Sequence, residues 1–365
     1  MSAVSLEASG SATEEKPSLR IMTSRRVAII LFNLGGPDSP AAVRPFLFNL
    51  FSDRAIVGAP QPLRFLIAQL ISRAREKTAR ASYAHMGGRS PLLSETLKQA
   101  QALEAAISAR VSNVSFRCFP AMRYWRPFVE DAAKAAEAWD ATDAILLPLY
   151  PQFSSTTTGS SLEAWKRASD LPCSTLCCYP AGRSFAQAHA DAILSVWRGA
   201  GEPARPRVLF SAHGLPQSVI DRGDPYQWQV EQSVAAVRPL LPPDWETRIC
   251  YQSRVGRLKW IGPSTVEEVR RAGGDKIGLI LAPIAFVSEH VETLVELDIE
   301  VAHLAARLKL PYCLRAPALG VSPRFIDALA DLAERALASP GKLQSEIGGR
   351  PCPAIFGLCP QGSAQ

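Results

Sequence analysis

RVAIILFNLGG, residues 26–36, and RVLFSAHGLP, residues 207–216, are two copies of one kind of segment. Each is a short β-rich apolar run that ends in a small-residue or proline turn, the pattern of a buried parallel strand entering a loop. Two more pairs follow in the same order in each half. VSFRCFPAMRYW (114–125) and TRICYQSRVGRLKW (247–260) run from a strand into an arginine-bearing loop and an indole, and DAILLPLYPQFSS (143–155) and KIGLILAPIAFVSEH (276–290) carry a proline near the strand end. Helix-like segments lie between them, at 92–109 and 127–138 in the first half and at 226–240 and 264–272 in the second. This alternation predicts an α/β fold of two similar, doubly wound lobes with a cleft between them. Ligands of such sheets bind beyond the carboxyl ends of the strands, which are the segments carrying Asn33, Arg123, Tyr150, His213, Ser253 and Glu289 to Glu296.

The wider composition fits. The 365 residues are 47% hydrophobic and 20% charged, a globular balance with room for one large or two medium lobes. No stretch reaches the ~20 consecutive apolar residues of a membrane-spanning helix. Residues 1–25 are rich in Ser, Ala and charge and lack the apolar centre of a secretory signal, which predicts a disordered tail on a cytoplasmic protein. A formal charge of +6 without a Lys/Arg block argues against a nucleic-acid partner. Eight cysteines without a secretory signal do not form a disulfide framework and stand as free thiols or metal ligands. The expected organisation is the tail (1–25), a first α/β lobe with a lip helix (26–165), a second α/β lobe (166–320), and a C-terminal helix with a cysteine-containing tail (321–365).

Three segments carry chemistry. SAHGLP sets His213 just after a buried strand, where an imidazole serves as metal ligand or base, or bonds a neighbouring carbonyl. FVSEHVETLVELDIE, read as a helix beginning near Ser288, lines Glu289, Glu292, Glu296 and Glu300 along one face. That face is either solvated or turned at its start into the cleft, where buried carboxylates need a cation or a proton. A histidine nitrogen with a carboxylate oxygen suits ferrous iron and similar divalent ions, leaving positions open for substrate. Lastly, FLFNLF (46–51) and the amphipathic stretch 62–83 combine Leu63, Leu66, Ile67, Leu70 and Ile71 with Arg64, Arg73, Arg75, Lys77 and Arg80. Core packing and contact with an anionic membrane or a flat apolar acid are both open to it.

These residues resemble one family, the ferrochelatases of the bacterial protoporphyrin-using branch. The matching stretches are NLGGPDSPAAVRPFLFNLFSDRAIV, YAHMGGRSPL, AMRYWRP, LPLYPQFSSTTTGSS, FSAHGLP, GDPYQWQV, YQSRVGRLKWIGPST, FVSEHVETLVELDIE and CLRAPALG, in the family's order from residue 33 to residue 320. The resemblance implies two Rossmann-like, chelatase-like lobes with a porphyrin cleft, and a lyase that inserts ferrous iron into protoporphyrin IX to form protohaem. It carries metal binding and proton abstraction onto His213 and Glu292, with Glu296 continuing an acidic relay and His290 beside it. It implies that Arg123 and Tyr124 face the macrocycle, that Arg75, Tyr83 and Ser90 hold the propionates, and that Leu34, Leu47, Leu50, Phe51 and Trp260 form apolar walls. A coproporphyrin-using relative and a non-catalytic tetrapyrrole or iron carrier are the alternative readings. Peripheral membrane association at the inner face is compatible with the resemblance, and homodimer and monomer both stay open.

Catalysis needs no cofactor beyond the Fe²⁺ substrate, but some relatives hold a [2Fe–2S] cluster with one cysteine after the YPQ segment and three near the carboxyl end. Here Ser154 and Ser155 follow YPQF, and the tail offers Cys352 and Cys359, with Gln361 where a third tail ligand would stand. Cys173, Cys177 and Cys178 are the residues able to complete a set.

Overall fold

In the computed structural model, residues 25–254, 256 and 258–362 are described, so the expected N-terminal tail lies outside them but for Arg25. The first sheet contains β1 (Arg25–Asn33), β2 (Val114–Met122), β3 (Asp143–Pro148), β4 (Cys173–Leu176) and β9 (Leu343–Gln344). The second contains β5 (Arg207–His213), β6 (Glu246–Gln252), β7 (Leu279–Pro283) and β8 (Cys313–Arg315). All pairings are parallel, and the orders are β2-β1-β3-β4-β9 and β6-β5-β7-β8. The two sheets are thus wound alike, which bears out the pairing of segments in the sequence.

Pleating explains why β1 and β5 are apolar along most of their length. Successive side chains leave a strand on opposite faces, and in β1 Val27, Ile29 and Leu31 enter one core while Ala28, Ile30 and Phe32 enter another. In β5 Val208, Phe210 and Ala212 face one core and Leu209 the other. A strand covered on both sides has no face left for polar residues.

The first lobe takes in more chain than the expected boundary at 165/166 allows. That boundary falls inside the helix Ser160–Ala168, and the first sheet continues through β4 and is closed by β9. The C-terminal helix Pro323–Ala338 returns to it as well. Its Phe325, Leu329, Leu332 and Ala336 join Val27, Ile29 and Leu31 in one core. The helix therefore belongs to the first lobe, because that lobe's apolar face is what its own stripe can bury against.

Two helices, Val43–Ser52 and Leu63–Ala84, form a lip beside the cleft. Val43, Phe46, Leu47, Tyr83 and Tyr124 make its small core. The amphipathic pattern of the longer helix does not go wholly into packing, since Leu63, Phe65, Leu66 and Leu70 remain 48–66% exposed.

Candidate active site

The strand orders reverse between β1 and β3 and between β5 and β7, where the crossovers leave a crevice at the carboxyl ends. A cavity of about 180 Å³ opens there. The first lobe contributes Asn33, Leu34, Leu149, Tyr150, Thr156 and Thr157, and the second His213, Phe286, His290 and Glu292. Leu50 and Ile56 close it from the lip.

Glu292 stands on the cleft floor between two imidazoles. Its Oε1 lies 3.3 Å from His213 Nδ1 and its Oε2 2.7 Å from His290 Nε2. Burial alone would raise its pKa, but the His213 and His290 rings hold the carboxyl well below its usual range. His213 is pushed down by burial and, more strongly in sum, up by Glu292 and Glu296, so its imidazole is raised. The His213 main chain is fixed too, since its carbonyl accepts the Tyr226 hydroxyl at 3.0 Å.

The segment that carries Glu292 is not the α-helix from Ser288 that the spacing suggests. Residues Glu292–Val301 wind as a π-helix, which is rare and recurs at functional sites. The four glutamates do not share one environment. Glu289 precedes the helix and pairs with Arg315 at 2.9 Å, and Glu300 is exposed, so neither shares the face of Glu292. Glu296 does stay near it. Its carboxylate accepts from Ser253 N at 2.7 Å, Ser253 Oγ at 2.5 Å and Gln252 Nε2 at 3.2 Å, while the same Gln252 amide donates to the Glu292 carbonyl at 2.7 Å. Burial and the charge of Glu292 raise the Glu296 carboxyl against the Ser253 bonds that lower it. Ser253 reaches this position with φ +63°, a left-handed conformation uncommon outside glycine. Gln252 and Ser253 have no titrating group, and only their place at the end of β6 hinted at a role.

The other expected residues divide. Leu34, Leu50, His213, His290 and Glu292 line the cavity. Arg75 is half-buried, its guanidinium pushed down by desolvation and up by Glu292, and it lies 5.8 Å over the Phe51 ring. Tyr83 is buried in the lip core, and burial and Glu292 raise its phenol. Leu47 sits in the lip core. Ser90 caps a turn, its Oγ accepting from Leu92 N at 3.2 Å. Trp260 bridges to Pro216 and its ring borders Gly214.

Arg123 and Tyr124 are not among the cavity-lining residues. Both are drawn to Asp53, whose Oδ2 lies 2.8 Å from Arg123 Nη2 and accepts the Tyr124 hydroxyl at 2.8 Å and the Ser160 hydroxyl. Burial works against the Asp53 charge, yet Ser160 and Arg123 lower its carboxyl. The ion pair ties the lip to the first lobe. Asp53 was invisible in the sequence because nothing marks which carboxylate a distant arginine will meet.

Four buried thiols converge away from the cleft. Cys177 and Cys178 Sγ are 3.0 Å apart, and Cys352 and Cys359 form a hydrogen-bonded pair in which the Cys359 thiol is pulled down and Cys352 pushed up. Gln229 Nε2 lies 3.1 Å from Cys352 Sγ and 3.5 Å from Cys178 Sγ, and Gln361 Nε2 3.4 Å from Cys177 Sγ. The thiols form two pairs rather than one closed set, and among the described residues no three His, Cys, Asp or Glu side chains stand ready-made around an ion. Cys173 is elsewhere, packed on the far face of the first sheet.

Comparison with known proteins follows the same lines. A family model described as ferrochelatase matches residues 26–337. A ferrochelatase of Phenylobacterium zucineum is 56% identical over 336 residues, covering 92% of this chain and 97% of that protein. One of Caulobacter vibrioides is 54% identical over 341 residues, covering 92% and 98%. The solved structure of SirB from Bacillus subtilis with Fe3+ superposes with a TM-score of 0.48 at 14% identity, covering 86% of this chain and 96% of that one.

Proposed function

The chain belongs to the ferrochelatase family, and from that premise we propose how its residues insert ferrous iron into a porphyrin to form haem. Insertion must strip water from Fe²⁺, remove two pyrrole protons and expose nitrogen lone pairs that a flat ring hides. Apolar walls from Leu34, Leu50 and Phe286 grip the macrocycle, and the binding energy of its periphery offsets the bending at its centre. His213 and Glu292 form the pair on the metal side, and Glu296 takes the protons outward.

The observation that carries this division of labour is the placing of two neighbouring carboxyls, Glu292 between His213 at 3.3 Å and His290 at 2.7 Å and Glu296 on Ser253 and Gln252, which shifts them in opposite directions. Glu292, between two imidazoles, stays ionised and meets a cation or a departing pyrrole proton as an anion. Glu296, with its pKa raised, accepts a proton that Glu292 cannot keep. Neighbouring titratable groups whose environments push their pKa values apart mark donor and acceptor. An anaerobic assay of Fe²⁺ insertion, with protoporphyrin IX or coproporphyrin III, tests the assignment. His213→Ala is expected to lower turnover by ~10²–10⁴, and unchanged haem formation sinks the role of His213. Protoporphyrin is the proposed substrate. Leu63, Phe65, Leu66 and Leu70, exposed among the lip's arginines, support peripheral contact with an anionic bilayer, in which that apolar porphyrin dissolves.

Cys177, Cys178, Cys352 and Cys359 are proposed as ligands of a [2Fe–2S] cluster. Four buried sulfurs in two pairs, with amide donors aimed at three of them, match the donor set that two irons share. When bound, such a cluster takes up and releases one electron. These residues would also staple the C-terminal tail to the first lobe. A visible absorption spectrum with iron and sulfide analysis of anaerobically purified protein is the check.

A further inference from the structure

The helix Tyr226–Val237 belongs to the second lobe, and its polar face holds a loop of the first. Just before it, the fully buried Asp224 accepts from Ser154 Oγ at 3.0 Å and from Ser155 N and Oγ at 2.7 Å each. At its far end Ser233 Oγ accepts from Gln152 Nε2 at 2.8 Å. Between them Gln229, also fully buried, accepts the Phe153 N–H on Oε1 at 2.7 Å. The loop so held, residues 152–155, leads directly into Thr156 and Thr157 of the cleft wall, and the same helix begins with Tyr226, whose hydroxyl fixes the His213 carbonyl.

Gln229 has a second set of partners. A glutamine amide offers one acceptor side and one donor side. The Phe153 N–H claims the oxygen, so the NH₂ group must face Cys178 and Cys352. The side chain thereby spans from the sulfur site to the cleft wall in a single residue. A neutral thiol is a weak acceptor and leaves the amide to Phe153. A metal-bound thiolate is anionic and draws the N–H groups strongly.

We propose that Gln229 is a positioning residue that couples the sulfur site to the porphyrin cleft, tightening the 152–157 wall when the thiols are ligated. The inference rests on the cluster reading given above. The mechanical path is Cys178 and Cys352 to the Gln229 amide, to the Phe153 backbone, to the hydroxyl wall.

The test measures porphyrin affinity by fluorescence quenching without Fe²⁺, so that no turnover contributes. Cluster-loaded protein is compared with protein stripped by anaerobic chelation, and the same pair is prepared for Gln229→Met. Loaded native protein is expected to bind protoporphyrin IX about fivefold or more tighter than stripped protein, within the usual range of coupling between sites. In Gln229→Met, which keeps volume but loses both hydrogen-bonding sides, the difference is expected to vanish and the midpoint potential of the cluster to fall with the lost N–H···S bonds. If that variant does not retain a cluster, Gln229→Asn serves in its place, since the shorter amide keeps an N–H donor but cannot reach both Phe153 and the sulfurs. Equal affinities of loaded and stripped native protein overturn the coupling, and a native-sized difference in the cluster-bearing variant overturns the role of Gln229. Native protein that contains no iron and sulfide in the first place overturns the cluster reading itself, and the coupling with it.

Discussion

Each lobe sends a π-helical segment to the cleft from the same topological position, Ser155–Gly159 after β3 and Glu292–Val301 after β7. The first is built from hydroxyls, the second from carboxylates. In the first, Thr156 and Thr157 reach the cavity while Ser154 and Ser155 are bound to Asp224 behind them. In the second, Glu292 reaches the cavity while Glu296 is bound to Ser253 and Gln252 behind it. The same backbone device thus presents a neutral surface on one side and a titratable one on the other. A hydroxyl turn can shape and grip, but only the acidic turn can receive charge at neutral pH. The two lobes share a frame, and the proposed chemistry resides in one of them.

Three measurements can break or sharpen this contrast. Glu292→Gln keeps shape but removes the charge, and turnover in the anaerobic assay is expected to fall by ~10²–10⁴. Thr157→Val in the opposite turn is expected to cost less than about tenfold, since it keeps the shape of the wall and removes only a neutral hydroxyl. Comparable losses would abolish the distinction.

Stability should reverse the ranking. Asp224→Asn leaves one acceptor oxygen where two are in use, Oδ2 by Ser154 Oγ, Ser155 N and Ser155 Oγ and Oδ1 by Tyr226 N at 3.0 Å, so at least one donor is orphaned in the interior. Losing a hydrogen bond to a charged group costs about 1.5–3 kcal/mol, and a urea titration of the variant is expected to show a loss of this size. Glu292→Gln should lose less than this.

The smallest effect is a pH window in stability. Glu292 titrates below its ordinary 4.5 in the folded chain, so its contribution is present above 4.5 and is lost as pH falls through the lowered value. His213 titrates above its ordinary 6.5, so its contribution is complete below 6.5 and is lost as pH rises through the raised value. The pair is therefore fully formed between 4.5 and 6.5. The difference in melting temperature between native and Glu292→Gln protein should peak in that window and shrink on both sides. A difference that grows steadily toward alkaline pH would disprove the pairing.

Much of this was legible in the sequence. Strands buried on both faces read as unbroken apolar runs, so β1, β5, β3 and β7 and their carboxyl ends could be read with His213 already in place. Glu292 could be named, but not its surroundings, because the spacing started the helix near Ser288, ahead of where the backbone begins to wind. Glu289 therefore falls before the helix and is spent on Arg315, and Glu300, at the far end, faces solvent. The resemblance assigned Arg123 and Tyr124 to the macrocycle; that both meet Asp53, 70 residues from Arg123 in sequence, was not legible, because an arginine's partner is a matter of tertiary structure. The convergence of Cys177 and Cys178 with Cys352 and Cys359 depends on the return of the chain to the first lobe, which no local pattern encodes.

That return has a consequence for how the protein is made. The second sheet is complete once Arg315 has left the ribosome, whereas the first lacks its covering helix until Ala338 and its edge strand until Gln344. Synthesis at about 5–20 residues per second leaves Val27, Ile29 and Leu31 without their C-terminal cover for roughly ten to forty seconds after β3 is made. The half of the molecule translated first is the half that finishes folding last, and during that interval it is the part that a chaperone has reason to hold.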